Sequence, residues 1–128
     1  MNRFFSVMEL IAALIVFSCS GFGTQTDVFN NGMRETTQSE IADKRITVEK
    51  STDSVLIDGN AYEAVIGNGD VRVDYEEDYG VTRDFDLYIG LADGYFEWND
   101  SLPLFNDPNK RRRLINVTGK CKVEEVSN

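Results

Sequence analysis

Acidic residues crowd two short stretches in the middle of this sequence of 128 residues. The first stretch, DYEEDYG, carries Asp74, Glu76, Glu77 and Asp78, and the second, RDFD, follows shortly after it. Carboxylate oxygens at alternate positions are typical calcium ligands. However, Gly80 comes one position late for an EF-hand loop and a phenylalanine replaces its bidentate glutamate, so we exclude an EF-hand. A looser calcium-binding site stays open beside a solvated loop, and we predict no bound metal or cofactor.

The sequence lacks the residues that most often carry acid–base and nucleophilic catalysis. It contains no histidine, which removes the commonest general base and excludes Ser-His-Asp triads and Cys-His pairs. The only two cysteines, Cys19 and Cys121, cannot form a four-cysteine zinc site within one chain. Paired carboxylates serve glycosidases, but acids are too abundant here for such a pair to be informative. We therefore predict that the protein is not an enzyme.

Aromatic residues follow the acidic stretches in the segments YFEWND and SLPLF. Tyr95, Trp98 and Phe105 are expected near one end of a hairpin, beside the acids. Exposed aromatic side chains next to charged ones are typical hot spots of protein interfaces. We predict a partner-binding site that combines these three aromatic residues with the acids of residues 74–78. The alternative is that Phe96 and Trp98 belong to the core and only Tyr95 is exposed.

The charge of the chain is negative and unevenly distributed. The net charge is −9, and residues 51–109 carry 14 acids against only Arg72 and Arg83. From Lys110 onward the chain is basic, and its KRRR run is typical of a solvated turn. An acidic body repels nucleic acid and attracts cationic molecules. We predict a basic protein as the partner and no binding of nucleic acid.

Apolar and polar residues alternate from Arg45 onward, which predicts β-strands. In VTRDFDLYIGL, for example, Phe85 and Leu87 share one face, with Arg83 as an exception. Asp-Gly and Asn-Gly pairs separate several of these runs and favour tight hairpin turns. We predict an all-β fold, a small antiparallel meander over residues 45–126 that is closed as a barrel or folded as a sandwich. Cys121 is expected on the apolar face of the last strand as a buried thiol.

The preceding segment, residues 20–44, is polar and shows little periodicity. We predict a flexible tether there, with a short helix over 34–43 as an option. Such a spacer separates a membrane-anchored domain from the lipid headgroups.

The N-terminal 19 residues have the layout of a secretory signal peptide. Arg3 precedes the apolar stretch LIAALIVF, which is too short to span a membrane, and small residues follow it. The segment VFSC, Val16–Cys19, resembles a bacterial lipobox, in which the cysteine becomes acylated. This resemblance implies lipidation of Cys19 and a membrane-anchored domain in the bacterial cell envelope. Cleavage after Ser20 is the alternative, and it gives a secreted protein.

A second resemblance concerns Glu9 within the same segment. The stretch FSVMELIAALIV, Phe5–Val16, is similar to the N-terminus of type IV pilins and pseudopilins, which have a glutamate at the fifth mature position before an apolar helix. The resemblance implies a minor component of a pilus-like or secretion assembly in the envelope.

These observations favour an exported, lipid-anchored binding module without enzymatic activity. Its layout is similar to that of the lipoprotein inhibitors of lysozyme, which are small β-barrels with acidic or polar loops. That resemblance implies an inhibitor-like role toward a basic enzyme. The pilin-like assembly component and the calcium-binding β domain remain the two alternatives.

Overall fold

The computed structural model describes residues 13–78, 82–104 and 107–127, and these residues form an all-β protein. In this part of the chain nine strands and one 3-10 turn, Lys50–Thr52, follow one another. The strands are β1 (Leu14–Phe29), β2 (Arg34–Glu49), β3 (Ser54–Ile57), β4 (Asn60–Glu63), β5 (Val65–Ile66), β6 (Asp70–Asp78), β7 (Thr82–Gly90), β8 (Tyr95–Pro103) and β9 (Lys110–Ser127).

All nine strands belong to one antiparallel sheet with the order β4-β3-β2-β1-β9-β8-β7-β6-β5. Strands that follow one another in sequence pair with each other, except β4 and β5 at the two edges of the sheet, and the first and last described strands meet where β1 pairs with β9. The sheet curls until β4 approaches β6, where the rings of Tyr62 and Tyr75 meet with centroids 5.0 Å apart. The result is a nearly closed barrel, which confirms the predicted antiparallel meander.

Apolar side chains from alternate strand positions fill the interior of the barrel. Their burial is the main favourable term in folding, at about 25 cal/mol per Å² of apolar surface. The largest fully buried side chains are Phe17, Phe85 and Phe96. The whole buried cluster comprises Ile15, Phe17, Cys19, Ile46, Val48, Val55, Ile57, Val71, Val73, Phe85, Leu87, Ile89, Leu91, Phe96, Trp98, Val117 and Cys121.

The turn between β3 and β4 has the chemistry that the sequence predicts. Asp58 and Gly59 have φ angles of 51° and 83°. A type I′ turn needs positive φ at both central residues, and the Asp-Gly pair tolerates that conformation. The first of the predicted hairpins is therefore confirmed in its turn type.

Two long strands occupy the segment for which we predicted a tether. The prediction of a tether over residues 20–44, with a short helix over 34–43, is wrong, because β1 and β2 are 16 residues long and pair along nearly their whole length. The side chains of residues 34–38 in β2 are all exposed, so this part of the strand shows no apolar alternation in the sequence. The β domain therefore begins with β1, well before residue 45.

The start of β1 also changes the interpretation of the N-terminal segment. Residues 15–19 are all buried, and this gives a continuous apolar run that is hard to distinguish from the core of a signal peptide. The apolar helix that the pilin resemblance implies is absent from residues 14–16, which are strand. Phe5 and Glu9, on which that resemblance depends, lie outside the described residues.

Cys19 and Cys121 form a disulfide between β1 and β9. One prediction is corrected here, because Cys121 is not a free thiol. Lipidation of Cys19 stays a prediction, and it requires a form of the protein in which this sulfur is not bonded to another sulfur. Disulfides persist in oxidising compartments, so the bond indicates an extracytoplasmic location. No helix among the described residues is long and apolar enough to cross a membrane.

Candidate functional site

The sheet separates the predicted site residues onto its two faces, because successive side chains of a strand point in opposite directions. Asp74 and Glu76 of β6 and Tyr95 of β8 lie on the outer face. Glu77 lies on the inner face, where its carboxylate accepts a hydrogen bond of 2.9 Å from the hydroxyl of Tyr75. Asp78 ends β6, but its side chain is not described, and Phe105 lies outside the described residues.

Trp98 is a core residue rather than part of an exposed surface. Its side chain is 7% exposed, and its indole stacks on the ring of Phe85 with centroids 5.1 Å apart. Assigning Trp98 to an exposed partner-binding surface is therefore wrong, and the alternative that Phe96 and Trp98 are core is confirmed. Tyr95 is half-buried on the outer face, where its hydroxyl donates to Oε2 of Glu97 at 3.3 Å.

Besides Asp70, which pairs with Arg72, five carboxylates among the described side chains share the outer face of β6, β7 and β8, and we call this surface of five the acidic face. Two pairs of like charge lie directly opposite each other in the strand register, Asp74 with Asp86 and Glu76 with Asp84. Glu97 of β8 completes the set, since it pairs with Tyr88 on the same face of β7. Like charges directly opposite one another destabilise a sheet. The acidic face is therefore a feature that folding alone does not favour.

The pKa of Asp86 reflects the close spacing of the carboxylates on the acidic face. Partial desolvation by its neighbours raises the pKa of Asp86, and a hydrogen bond with Asp74 and the negative charges around it raise that pKa further. The nearest cation on β6, Arg72, is already engaged, because its guanidinium lies 3.1 Å from Oδ2 of Asp70. The acidic face thus keeps a strong negative potential at its centre.

The basic run KRRR is part of β9 and not a turn, and three of its four cations, Lys110, Arg112 and Arg113, have partners of their own. Lys110 and Arg113 both bind the carboxylate of Asp27 at 2.9 Å. The hydrogen bond from Arg113 is the main cause that lowers the pKa of Asp27 to about 2. Arg112 donates two hydrogen bonds, of 2.9 and 2.7 Å, to the hydroxyl of Ser101. The run therefore contributes to the sheet itself.

Sequence reasoning found part of the acidic face and missed the rest. It selected Asp74 and Glu76, noted Asp84 and Asp86 without selecting them, and passed over Glu97. The alternation of β6, β7 and β8 was the signal that would have grouped all five, because each of these acids occupies an outward position next to at least one inward apolar residue.

The described residues hold no group of three or more His, Cys, Asp or Glu side chains that could bind a metal ion. Comparison of the chain with models of protein families, with curated proteins and with solved structures finds no match.

Proposed function

We propose that the protein is an exported, non-enzymatic binding module that docks a basic protein on its acidic face. The single observation that carries the proposal is the alignment of five carboxylates on the outer face of three adjacent strands. Four of them, Asp74, Glu76, Asp84 and Asp86, are exposed. The repulsion between these carboxylates lowers the stability of the sheet. Such a loss is reasonable where the acidic face serves to recognise a partner of opposite charge.

The net charge of −9 supports the same proposal at longer range. An acidic patch on a small domain attracts a cationic protein before contact and raises the association rate. Charge of this kind contributes more to the rate of encounter than to the final affinity. The half-buried ring of Tyr95, which lies beside Glu97 and 6.0 Å from the ring of Tyr88, offers apolar contact area at the edge of the acidic face.

Export is the second part of the proposal, and the disulfide supports it. Anchoring through a lipid on Cys19 requires a form of the protein in which this cysteine is not bonded to Cys121. The intact mass of the exported protein under non-reducing conditions separates the two forms. An acylated N-terminal cysteine supports the lipoprotein, whereas a loss of two hydrogens, regained on reduction, supports the disulfide-bonded form.

Binding kinetics test the proposed partner class. The protein is immobilised and exposed to the basic proteins lysozyme and cytochrome c at several salt concentrations, with an acidic protein as the control. We expect association with at least one basic protein, with an association rate that falls steeply between 0.05 and 0.5 M salt, as the Debye length shrinks from about 14 to about 4 Å. Absence of binding at low salt, or binding that salt does not change, would contradict the proposal.

A further inference from the structure

A cavity of about 350 Å³, open to solvent on one side, lies on the side of the sheet opposite to the acidic face. It is lined by residues of β2, the β3–β4 hairpin, β7, β8 and β9, and Glu40, Asp58 and Asn60 of this lining are exposed. Its apolar wall includes three aromatic rings, those of Tyr62, Phe85 and Trp98. The ring of Tyr62 meets Phe85 edge-on with centroids 4.9 Å apart, and Phe85 stacks on Trp98. A pocket of this size with an aromatic wall suits a small molecule.

A buried carboxylate held by only one long ion pair also lines this cavity. Asp100 is 8% exposed, and its Oδ2 lies 3.4 Å from the guanidinium of Arg83. Among the described residues, neither the second oxygen, Oδ1, nor Nε of Arg83 has a hydrogen-bond partner, and both atoms are buried. Buried charged groups are normally satisfied by several hydrogen bonds, because an unpaired one is costly. A long, half-satisfied ion pair in a cavity wall indicates that another group completes it.

The chemistry of that group follows from the other charges of the cavity. Lys44 places its ammonium 5.0 Å from the ring centroid of Trp98, so the indole face already holds a cation. The lining carries three carboxylates, those of Glu40, Asp58 and Asp100, against the cations of Lys44 and Arg83. An aromatic wall, a weakly paired carboxylate and a negative balance of charge together favour a cationic ligand.

We propose that this cavity binds a small organic cation, an ammonium or guanidinium group on an apolar body. The cationic group pairs with the carboxylate of Asp100 once the loosely held guanidinium of Arg83 moves aside, and the apolar body packs against the aromatic wall. When the ligand enters, it competes with Lys44 for the face of Trp98. This cavity is separate from the acidic face. Its ligand is either a free amine or a basic side chain of a bound protein.

Trp98 is the only tryptophan of the chain, so its fluorescence reports on this cavity alone. The probes are benzylammonium, its neutral analogue benzyl alcohol and its anionic analogue benzoate. A five-residue glycine peptide with one central arginine represents the side chain of a protein. We expect a saturable change of fluorescence with benzylammonium, with the peptide or with both, at a Kd of about 1 mM or lower, and none with the other two probes. Which of the two cations binds identifies the source.

Three variants test the assigned contacts. Asp100→Asn, which keeps the shape of the side chain, is expected to weaken binding of the cation at least about tenfold. Glu63→Gln removes the same charge from an exposed position on β4 away from the cavity and is expected to change the Kd less than about twofold. Lys44→Met removes the resident cation and is expected to strengthen binding about threefold or more. If Asp100→Asn does not fold, Lys44→Met still tests the proposal. The ion pair that Lys44→Met removes, between Lys44 and Asp58, is partly exposed, so we expect this variant to fold.

The outcomes that overturn the proposal are equally definite. No saturable response to either cation, equal binding of benzyl alcohol, or equal weakening by Asp100→Asn and Glu63→Gln shows that the cavity has no cation site. Loss of binding in Lys44→Met shows that Lys44 binds the ligand itself, which points to an anion. None of these results bears on the acidic face, whose test measures protein association at different salt concentrations.

Discussion

Cys19 and Cys121 face each other across β1 and β9, with Cα atoms 4.0 Å apart and their sulfurs bonded. The two cysteines are 102 residues apart in sequence, so the bond closes almost the entire described chain into one loop. It joins the first described strand to the last at the β1–β9 seam, in the middle of the sheet. The first and last strands are therefore held together both by hydrogen bonds and by a covalent bond.

Removal of this bond is expected to lower the free energy of unfolding by about 2–4 kcal/mol, because a long loop of the unfolded chain is no longer constrained. Urea unfolding of the oxidised protein and of Cys19→Ser measures the difference. The double variant with Cys121→Ser serves as the control and should match the single variant, since both lack the same bond. Equal stability of the oxidised and reduced wild-type protein would show that the bond does not constrain the fold.

The close approach of β1 and β9 depends on Gly23. A Cβ atom at this position would run into the carbonyl oxygen of Asn116 and come within 2.8 Å of the Cα of Val117. Gly23→Ala is therefore expected to destabilise the protein by about 2–3 kcal/mol, because backbone atoms must move apart. Gly69→Ala is the matched control, since nothing lies within 4 Å of its added Cβ. A melting temperature that falls equally in both variants would contradict this account of the β1–β9 seam.

The ion pairs of Asp27 predict a pH dependence of stability. Asp27 has a folded-state pKa of about 2, below the ordinary value of 3.8, because Arg113 and Lys110 stabilise its carboxylate. Its stabilising contribution is therefore complete above about pH 4 and is lost as the pH falls toward 2. Since the cations are partly exposed, we expect the contribution to be about 1 kcal/mol.

Asp27→Asn tests this contribution directly. Urea unfolding should show the variant to be less stable than the wild type at pH 6, and the difference should vanish near pH 2. A difference that stays constant between these pH values would assign the effect of the substitution to packing and not to charge.

The acidic face predicts the opposite sign for Asp86. Its raised pKa means that its charged form is disfavoured in the folded protein, so it costs stability at neutral pH. Asp86→Asn is therefore expected to stabilise the protein by about 0.5 kcal/mol at pH 7. This gain should disappear as the pH falls below the ordinary pKa of an aspartate, where the carboxyl is protonated in both states. A destabilised variant at pH 7 would mean that the carboxylate makes favourable contacts that outweigh its repulsion by Asp74.

The sequence predicts the β-meander well where one face of a strand is buried and the other is solvated. In β7, for example, Phe85 and Leu87 alternate with exposed acids, and the structure confirms this pattern. Prediction of strands from this alternation fails for β1 and β2, for two opposite physical reasons. The start of β1 is buried on both faces, so it reads as one apolar run, whereas residues 34–38 of β2 are exposed on both faces. Neither case produces a period of two.

The candidate sites were predictable only in part, because they depend on which strands lie side by side. The acids of β6 are visible as a cluster in the sequence, but their direct opposition to Asp84 and Asp86 requires the strand register. The inward charge at Arg83 was visible as an exception in an apolar pattern. Its partner Asp100 follows the same inward alternation as Phe96 and Trp98, yet only the pairing of β7 with β8 brings the two charges together.

The central claim, that the acidic face binds a basic protein, is tested most directly by the association rate of two matched triple variants at low and high salt. One variant carries Glu76→Gln, Asp84→Asn and Asp86→Asn on the acidic face. The other carries Glu35→Gln, Glu63→Gln and Glu124→Gln at exposed positions elsewhere, so that both have the same net charge.

The account predicts that the acidic-face variant associates with the basic protein about tenfold more slowly than the wild type at 0.05 M salt and loses most of its salt dependence. The second variant should keep most of both. Equal reduction of the association rate in the two variants would show that only net charge matters, and would contradict docking on the acidic face.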